Sequence, residues 1–222
     1  MKEKSSVEKT FCTTREASAL LGVSVGTIQL WVENGLLEAW RTAGGHRRVL
    51  RESIDRLIRA APSTDVRPSS GVAVTGRAPD TDPAVRPLIL VVEDDRILLK
   101  LYEVQISKWK IGADYICVDN AIAGLIAIGR RKPDVLITDL QMPNMNGIEM
   151  IRFLNMHPDT DALKIIVVTG MDADGIHAEG GLPPEVEIFQ KPVSFDRLRA
   201  TVEHFLSSKA AQAVQLDVEG KG

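Results

Sequence analysis

The run Val135-Leu136-Ile137-Thr138 is apolar and β-branched, and it stops at Asp139. Met142-Pro143 and Asn146-Gly147 follow within a few residues. A short apolar run closed off by Pro and Gly reads as a buried strand. It leaves a carboxylate, Asp139, at the strand's C-terminal tip. In open α/β sheets that edge is where ligands bind and chemistry happens. An aspartate capping a strand in a turn is the plain alternative at this point.

The surrounding chain favours the sheet. From Leu88 onward, strands are predicted at Leu88–Val92, Asp114–Val118, Val135–Thr138, Lys164–Val168 and Val186–Phe189. Helical spacing occupies Arg96–Trp109, Ala121–Arg131, Ile148–Met156 and Phe195–Leu206. Between Met171 and Pro184, Gly175, Gly180, Gly181 and Pro183-Pro184 leave room for a short helix at most. Strands alternating with helices argue for a parallel sheet covered on both faces. The expected fold class is therefore α/β, a doubly wound (βα)5 sheet.

In such a sheet the C-terminal strand ends share one edge. Glu93 and Asp94 follow the first strand, Asp139 the third, Thr169 the fourth and Lys191 the fifth, just before Pro192. Clustered carboxylates repel one another, so three on one edge make sense with a hard cation present. Mg²⁺ takes one or two carboxylates and keeps waters and phosphate oxygens. Lys191 adds a point charge and Thr169 a hydroxyl donor. This set fits phosphorylation of a carboxylate: the aspartate attacks phosphorus and forms an acyl phosphate, while cations neutralise the phosphoryl oxygens. Unrelated surface residues would not all follow separate strands at one edge.

The N-terminal part is different. Thr13 and Glu16 make a capping box, and Ala17, Leu20 and Leu21 give a short helix its apolar face. Gly22-Val23-Ser24 breaks it, and Ser24 caps a second helix striped by Val25, Ile28, Trp31 and Val32, which Gly35 ends. Two short helices about a tight Gly turn form a helix-turn-helix arrangement, with an ordinary helical hairpin as the alternative. Leu36–Arg41 and His46–Leu50 then flank Thr42-Ala43-Gly44-Gly45, a hairpin with a flexible tip. It carries Arg41, His46, Arg47 and Arg48, suited to tracking phosphates, though a solvated basic face would look the same. A third helix is expected over Arg51–Ala60.

Between the two parts, Pro62 to Pro87 holds prolines 62, 68, 79, 83 and 87 without sustained apolar periodicity. This composition is that of an extended linker. The expected organisation is a mobile arm at 1–10, a small domain at 11–61, the linker at 62–87, the α/β domain at 88–206 and a fraying tail at 207–222. Charge divides the same way. Met1–Pro62 has 10 basic and 7 acidic side chains, while Leu88–Leu206 has 12 and 18. A basic part meets polyanions, and an acidic part gathers metal or phosphate chemistry. Cys12 and Cys117 stand far apart in no ligand spacing, which fits a reducing compartment. The start Lys2-Glu3-Lys4-Ser5-Ser6 lacks an apolar targeting segment, and no run approaches the ~18 residues of a membrane span. A cytoplasmic protein is expected.

These motifs carry two resemblances. Thr14-Arg15-Glu16-Ala17-Ser18-Ala19-Leu20-Leu21-Gly22-Val23-Ser24, Thr27-Ile28-Gln29-Leu30-Trp31 and Arg41-Thr42-Ala43-Gly44-Gly45-His46-Arg47-Arg48 resemble the winged helix-turn-helix of the MerR superfamily in its short, excisionase-like form. The resemblance implies that the second helix enters the major groove, with Val25, Thr27 and Gln29 towards the bases. Gln29 is the best equipped for adenine. Arg15, Arg41, His46, Arg47 and Arg48 would complete the DNA contacts. The long dimerisation helix of full-length MerR proteins is absent.

Ile89-Leu90-Val91-Val92-Glu93-Asp94-Asp95, the stretch from Asp134 to Gly147, Val167-Val168-Thr169-Gly170 and Lys191-Pro192 resemble the receiver domain of two-component response regulators. The resemblance implies Asp139 as phosphoacceptor, Thr169 as switch hydroxyl and Lys191 as phosphate-binding amine. It implies Mg²⁺ held by Asp94, Asp139 and the Gln141 carbonyl, with Glu93 acting through water. Asp95 reads as a helix-start residue. Two departures touch the surface that usually reports phosphorylation. Ile188 stands where an aromatic switch residue is common, with Phe189 displaced by one, and the fourth helix is broken up by Gly and Pro.

The expected function is a regulator phosphorylated on Asp139 by a sensor histidine kinase, dimerising on phosphorylation and binding DNA to control transcription. It would not be an enzyme on outside substrates, since the receiver assists only its own phosphorylation and dephosphorylation. Two alternatives stand beside it: a phosphorylation-independent DNA-binding protein using the receiver as a dimer platform, and an adaptor whose N-terminal module binds protein.

Overall fold

A computed structural model describes residues 10–33, 35–42, 44–60, 86–156 and 160–219. The arm expected at 1–10 and the linker expected at 62–87 lie outside these residues apart from Thr10, Arg86 and Pro87. Two compact units are present.

The first unit opens with β1 (Phe11–Thr13), then α1 (Thr14–Leu21), α2 (Val25–Glu33), β2 (Ala39–Arg41), β3 (Arg47–Leu50) and α3 (Arg51–Ala60). The capping box forms as expected: the Glu16 N–H donates to Thr13 Oγ1 at 3.1 Å, and the Thr13 N–H donates to Glu16 Oε2 at 2.7 Å. Gly22 ends α1 at φ +68°, a left-handed turn that glycine adopts without a Cβ clash. Ser24 Oγ then accepts from the Thr27 N–H at 3.0 Å and starts α2. Ala17, Leu21, Ile28, Trp31, Leu37, Val49, Ile54 and Leu57 are buried. The hairpin is present but shorter than its predicted flanks. β1 was not foreseen: three residues show no alternation, and the strand exists because β3 pairs with it, Cys12 opposite Val49.

The second unit alternates β4 (Leu88–Val92), α4 (Arg96–Lys108), β5 (Asp114–Val118), α5 (Ala121–Arg131), β6 (Val135–Thr138), α6 (Gly147–Asn155), β7 (Lys164–Thr169), α7 (Ala173–Ala178), β8 (Glu187–Gln190) and α8 (Phe195–Glu219). All four strand pairings are parallel, in the order β5-β4-β6-β7-β8. The doubly wound (βα)5 reading is borne out. All five residues of β4 and all four of β6 are buried. Each fully buried Val, Leu or Ile contributes about 1.5–3 kcal/mol of transfer free energy, so these strands anchor the unit. α7 has six residues, short for the reason its glycines and prolines gave.

The tail is where the backbone departs from expectation. α8 does not fray at Leu206 but continues to Glu219. Neither Gly nor Pro interrupts 207–219, and Lys209 Nζ donates to Asp134 Oδ1 at 2.7 Å. The Leu88 N–H donates to Asp134 Oδ2 at 2.8 Å, so one carboxylate ties the first strand's start to the last helix.

The loop from Asp139 to Gly147 folds back on itself. The Gly147 N–H donates to the Leu140 carbonyl at 2.9 Å. A Cβ on Gly147 would stand 2.8 Å from Leu140 Cα and closer still to the Asp139 carbonyl oxygen. Both are backbone atoms that cannot swing aside. Gly147→Ala is therefore expected to lose about 2 kcal/mol or more in urea unfolding, as overpacking does. Gly170→Ala, whose Cβ would meet only Gln141 Oε1 at 3.7 Å, should stay within about 0.5 kcal/mol of the parent.

Candidate functional site

Strand order puts the site where the chain reverses direction. From β4 the chain passes to β5 on one side and then to β6 on the other. Such a switch point opens a crevice beyond the carboxyl ends of the strands. Glu93 and Asp94 leave β4 there, and Asp139 leaves β6. The Asp139 N–H donates to the Val92 carbonyl at 3.1 Å, so ladder pairing fixes the offset between these carboxylates.

Asp139 is held at both oxygens. Its Oδ1 accepts the N–H of Leu140 at 2.6 Å and of Gln141 at 3.2 Å. Its Oδ2 accepts from Lys191 Nζ at 2.7 Å. The same ammonium donates to Glu93 Oε2 at 3.0 Å. Charge-assisted bonds of this length are about twice as strong as neutral ones. Glu93 and Asp139 are buried, at 2 % and 5 % exposure, with the Lys191 side chain at 25 %. Lys191 itself is placed by its N–H, which donates to the Thr169 carbonyl at 2.9 Å.

Burial lifts the Glu93 carboxyl above the ordinary carboxylate range; Lys191 opposes this and the Asp139 charge adds to it. For Lys191, burial pulls the other way, but the bonds and charges of Asp139 and Glu93 outweigh it and hold the ammonium above the ordinary lysine value. One ammonium thus lies between two carboxyl groups.

One carboxylate oxygen each from Glu93, Asp94 and Asp139 lies within 4.8 Å of the others. Three hard oxygen donors so close, two of them almost sealed from water, fit a divalent cation such as Mg²⁺. Asp95 does not join them. Its Oδ1 caps α4, accepting from the Ile97 and Leu98 N–H groups at 2.8 and 3.1 Å.

Not every expected residue is drawn in. Thr169 ends β7, fully buried, and its hydroxyl accepts the Met171 N–H at 3.1 Å. Gln141 directs its N–H to Asp139, while its side chain is exposed. Phe189 packs in the core and Ile188 is 43 % exposed. In the sequence Asn146 marks only a turn. It caps α6 in a capping box with Glu149 and donates from Nδ2 to Glu179 Oε2 at 3.1 Å, linking the Asp139 loop to α7. The Asn146-x-x-Glu149 spacing is the signal that reveals the cap.

On the first unit, Arg15, Gln29, Arg41 and His46 are exposed, and Val25 and Thr27 half-buried. The Thr27 hydroxyl lies 2.8 Å from the Ser24 hydroxyl. Arg47 is committed within the unit: it pairs with Glu33 at 2.6 Å and reaches the Gln29 carbonyl at 3.5 Å. Arg48 bonds the Arg47 carbonyl at 3.3 Å.

Residues 89–203 match the family model for a response regulator receiver domain, and residues 11–62 match that for a helix-turn-helix domain. The chain is 32 % identical over 123 residues to the phosphate regulon transcriptional regulatory protein PhoB of Rhizobium meliloti (strain 1021), covering 54 % of this chain and 52 % of that protein. It is 28 % identical over 119 residues to protein PilH of Pseudomonas aeruginosa, covering 54 % of this chain and 97 % of PilH. It thus spans about half the length of the first and nearly all of the second. Among solved structures, the receiver domain of Francisella response regulator 1452 aligns with TM-score 0.48 and 22 % identity, over 56 % of this chain and 99 % of that one. No described helix is long and apolar enough to cross a membrane.

Removing the shared cation tests this arrangement. Lys191→Met leaves two buried carboxylates facing each other, and a loss of about 2–3 kcal/mol is expected at pH 7. The signs follow from the shifts. Glu93 is held high, so acidification protonates it and relieves the repulsion; the deficit of Lys191→Met should shrink between pH 7 and pH 4 in parallel urea melts. On the alkaline side the Lys191 ammonium stays charged past the ordinary lysine value, and its contribution is lost as pH climbs through the raised one.

Proposed function

We propose that this protein, which belongs to the response regulator receiver family and carries a helix-turn-helix domain ahead of its receiver, is phosphorylated on Asp139 by a histidine kinase and binds DNA to regulate transcription. The observation that carries the reading is the Asp139 carboxylate: one oxygen is pinned by two backbone N–H groups and the other lies against the Lys191 ammonium. Such a group is oriented before any phosphoryl donor arrives.

In this mechanism an Asp139 oxygen attacks phosphorus, the bond to the kinase histidine nitrogen breaks, and an acyl phosphate forms. Glu93, Asp94 and Asp139, with the Gln141 carbonyl, would hold Mg²⁺, which when bound neutralises charge on the transferring phosphoryl oxygens. Lys191 releases Glu93 and follows the new dianion. Thr169 gives up the Met171 N–H and turns its hydroxyl to a phosphoryl oxygen, and the loop it anchors moves with it. The receivers then pair. Two tethered DNA modules gain effective concentration on a paired site, which needs no rigid contact between domains.

A second reading has one observation in its favour. Phe189 is buried where an aromatic switch would have to move, and the neighbouring exposed position holds Ile188. The receiver would then serve as a constitutive dimer platform. DNA affinity and oligomeric state, measured with and without beryllium fluoride in wild type and Asp139→Asn, separate the two. The leading reading expects tighter DNA binding and dimerisation with the analogue in wild type only. Unchanged affinity and oligomeric state in wild type favour the second.

The DNA face has its own expectation. Arg41→Ala should weaken binding uniformly across sequences and reduce the salt slope by about 1, as loss of one phosphate contact does. Gln29→Ala should instead erase about 1–3 kcal/mol of discrimination at a single base pair. Arg47→Ala should act through stability, because that guanidinium already holds Glu33. Gel shifts across salt and across operator variants read all three; equal loss on every sequence for Gln29→Ala would remove it from the base contacts.

A further inference from the structure

Among the described residues one buried side-chain polar atom has no hydrogen-bond partner. Tyr102, on α4, is 1 % exposed, and its hydroxyl is the buried side-chain oxygen without a hydrogen bond among the described residues. Buried hydroxyls are nearly always bonded, so an orphan asks for an explanation.

Strand register locates it. Tyr102 belongs to one buried cluster with Ile89, Val91, Ile137 and Phe189. Side chains alternate along a strand, so residues two apart share a face. Two residues beyond Val91, Ile137 and Phe189 stand Glu93, Asp139 and Lys191, the trio that the ammonium binds together. Tyr102 therefore shares the sheet face whose end this trio occupies, and its ring meets Phe195, four residues after Lys191. Its ring is set by an edge-on contact with Phe195, centroids 5.3 Å apart. Burial raises the phenol's pKa well above its ordinary value, and the charges of Glu93 and then Asp139 raise it further. The phenol thus stays protonated and senses both carboxylates. A protonated phenol beside carboxylates is a donor. A water with two to four polar partners is the usual bridge where groups do not touch.

We propose that Tyr102 is a positioning residue for Glu93: its hydroxyl donates, through one buried water, to the Glu93 carboxylate and keeps it in place when Lys191 leaves for the phosphoryl group. This rests on the reading of Glu93 as a metal-holding carboxylate. Without such a donor, Glu93 would lose its main bond at the moment it must stay still. Outer partners of this kind typically set metal affinity by tenfold or more.

Tyr102→Phe removes the hydroxyl and leaves the ring. Thermal melts in EDTA of the full chain as wild type, Tyr102→Phe, Glu93→Leu and the double variant give a metal-free test, since leucine keeps the bulk and removes the acceptor. The proposal expects Tyr102→Phe to lower Tm by roughly 3–5 °C and the double variant to show no further loss beyond Glu93→Leu. Calorimetric titration with MgCl₂ should show affinity about tenfold weaker in Tyr102→Phe. An idle hydroxyl predicts the opposite sign, because removing an unpaired buried group costs nothing or stabilises. A Tm at or above wild type, or an equal loss in both backgrounds, overturns the proposal. Absence of Mg²⁺ binding in wild type would instead remove the metal reading, while the melts in EDTA still decide the role of Tyr102.

Discussion

One ammonium shared by two buried carboxylates holds the functional end of this molecule together. Lys191 reaches Asp139 and Glu93 at 2.7 and 3.0 Å, and neither acid has enough water around it to carry its charge alone. Taking an ion out of water costs several kcal/mol, recovered only by close opposite charge and full hydrogen bonding. The three strands that deliver these residues must therefore end at the same level. The parallel ladder enforces this, with β6 flanked by β4 on one side and β7 on the other and β8 beyond.

The same arrangement makes the site responsive. A cation held between two acids moves when a stronger anion appears. Whatever draws Lys191 away frees Glu93 and unbalances the layer below, where Tyr102 and the apolar strand residues pack. On the other side of Asp139, the loop to Gly147 folds back on itself, and Asn146 ties it to Glu179 at the end of α7. The short, glycine-interrupted α7 is where rearrangement would be least costly, since few buried side chains anchor it.

The helix-turn-helix unit follows a different logic. Its exposed Arg41 and His46 side chains sit at the hairpin, while Arg47 pairs with Glu33 of α2. The basic cluster that looks uniform in sequence is thus divided in space. Part of it is exposed, and part braces the hairpin against α2.

Much of this is legible in the sequence alone. Apolar runs closed by Gly and Pro marked the strands, and helical spacing marked the helices, with boundaries within a residue or two at β6, α5 and α4. The Thr13-x-x-Glu16 cap and the acid, hydroxyl and amine positions at strand ends were visible for the same reason: they depend on neighbours in sequence. β1 was not, since a three-residue strand is defined by its partner β3. Nor was the continuation of α8, which Lys209 secures through Asp134, 75 residues away. What the sequence by itself determined is the order of elements and which polar residues terminate which strand, because these follow from local periodicity. Only the tertiary structure decided that Lys191 serves Glu93 as well as Asp139, 98 and 52 residues distant, and that Tyr102 is buried on the same face of the sheet. Desolvation and charge sharing belong to packed neighbours, and chain spacing does not encode them.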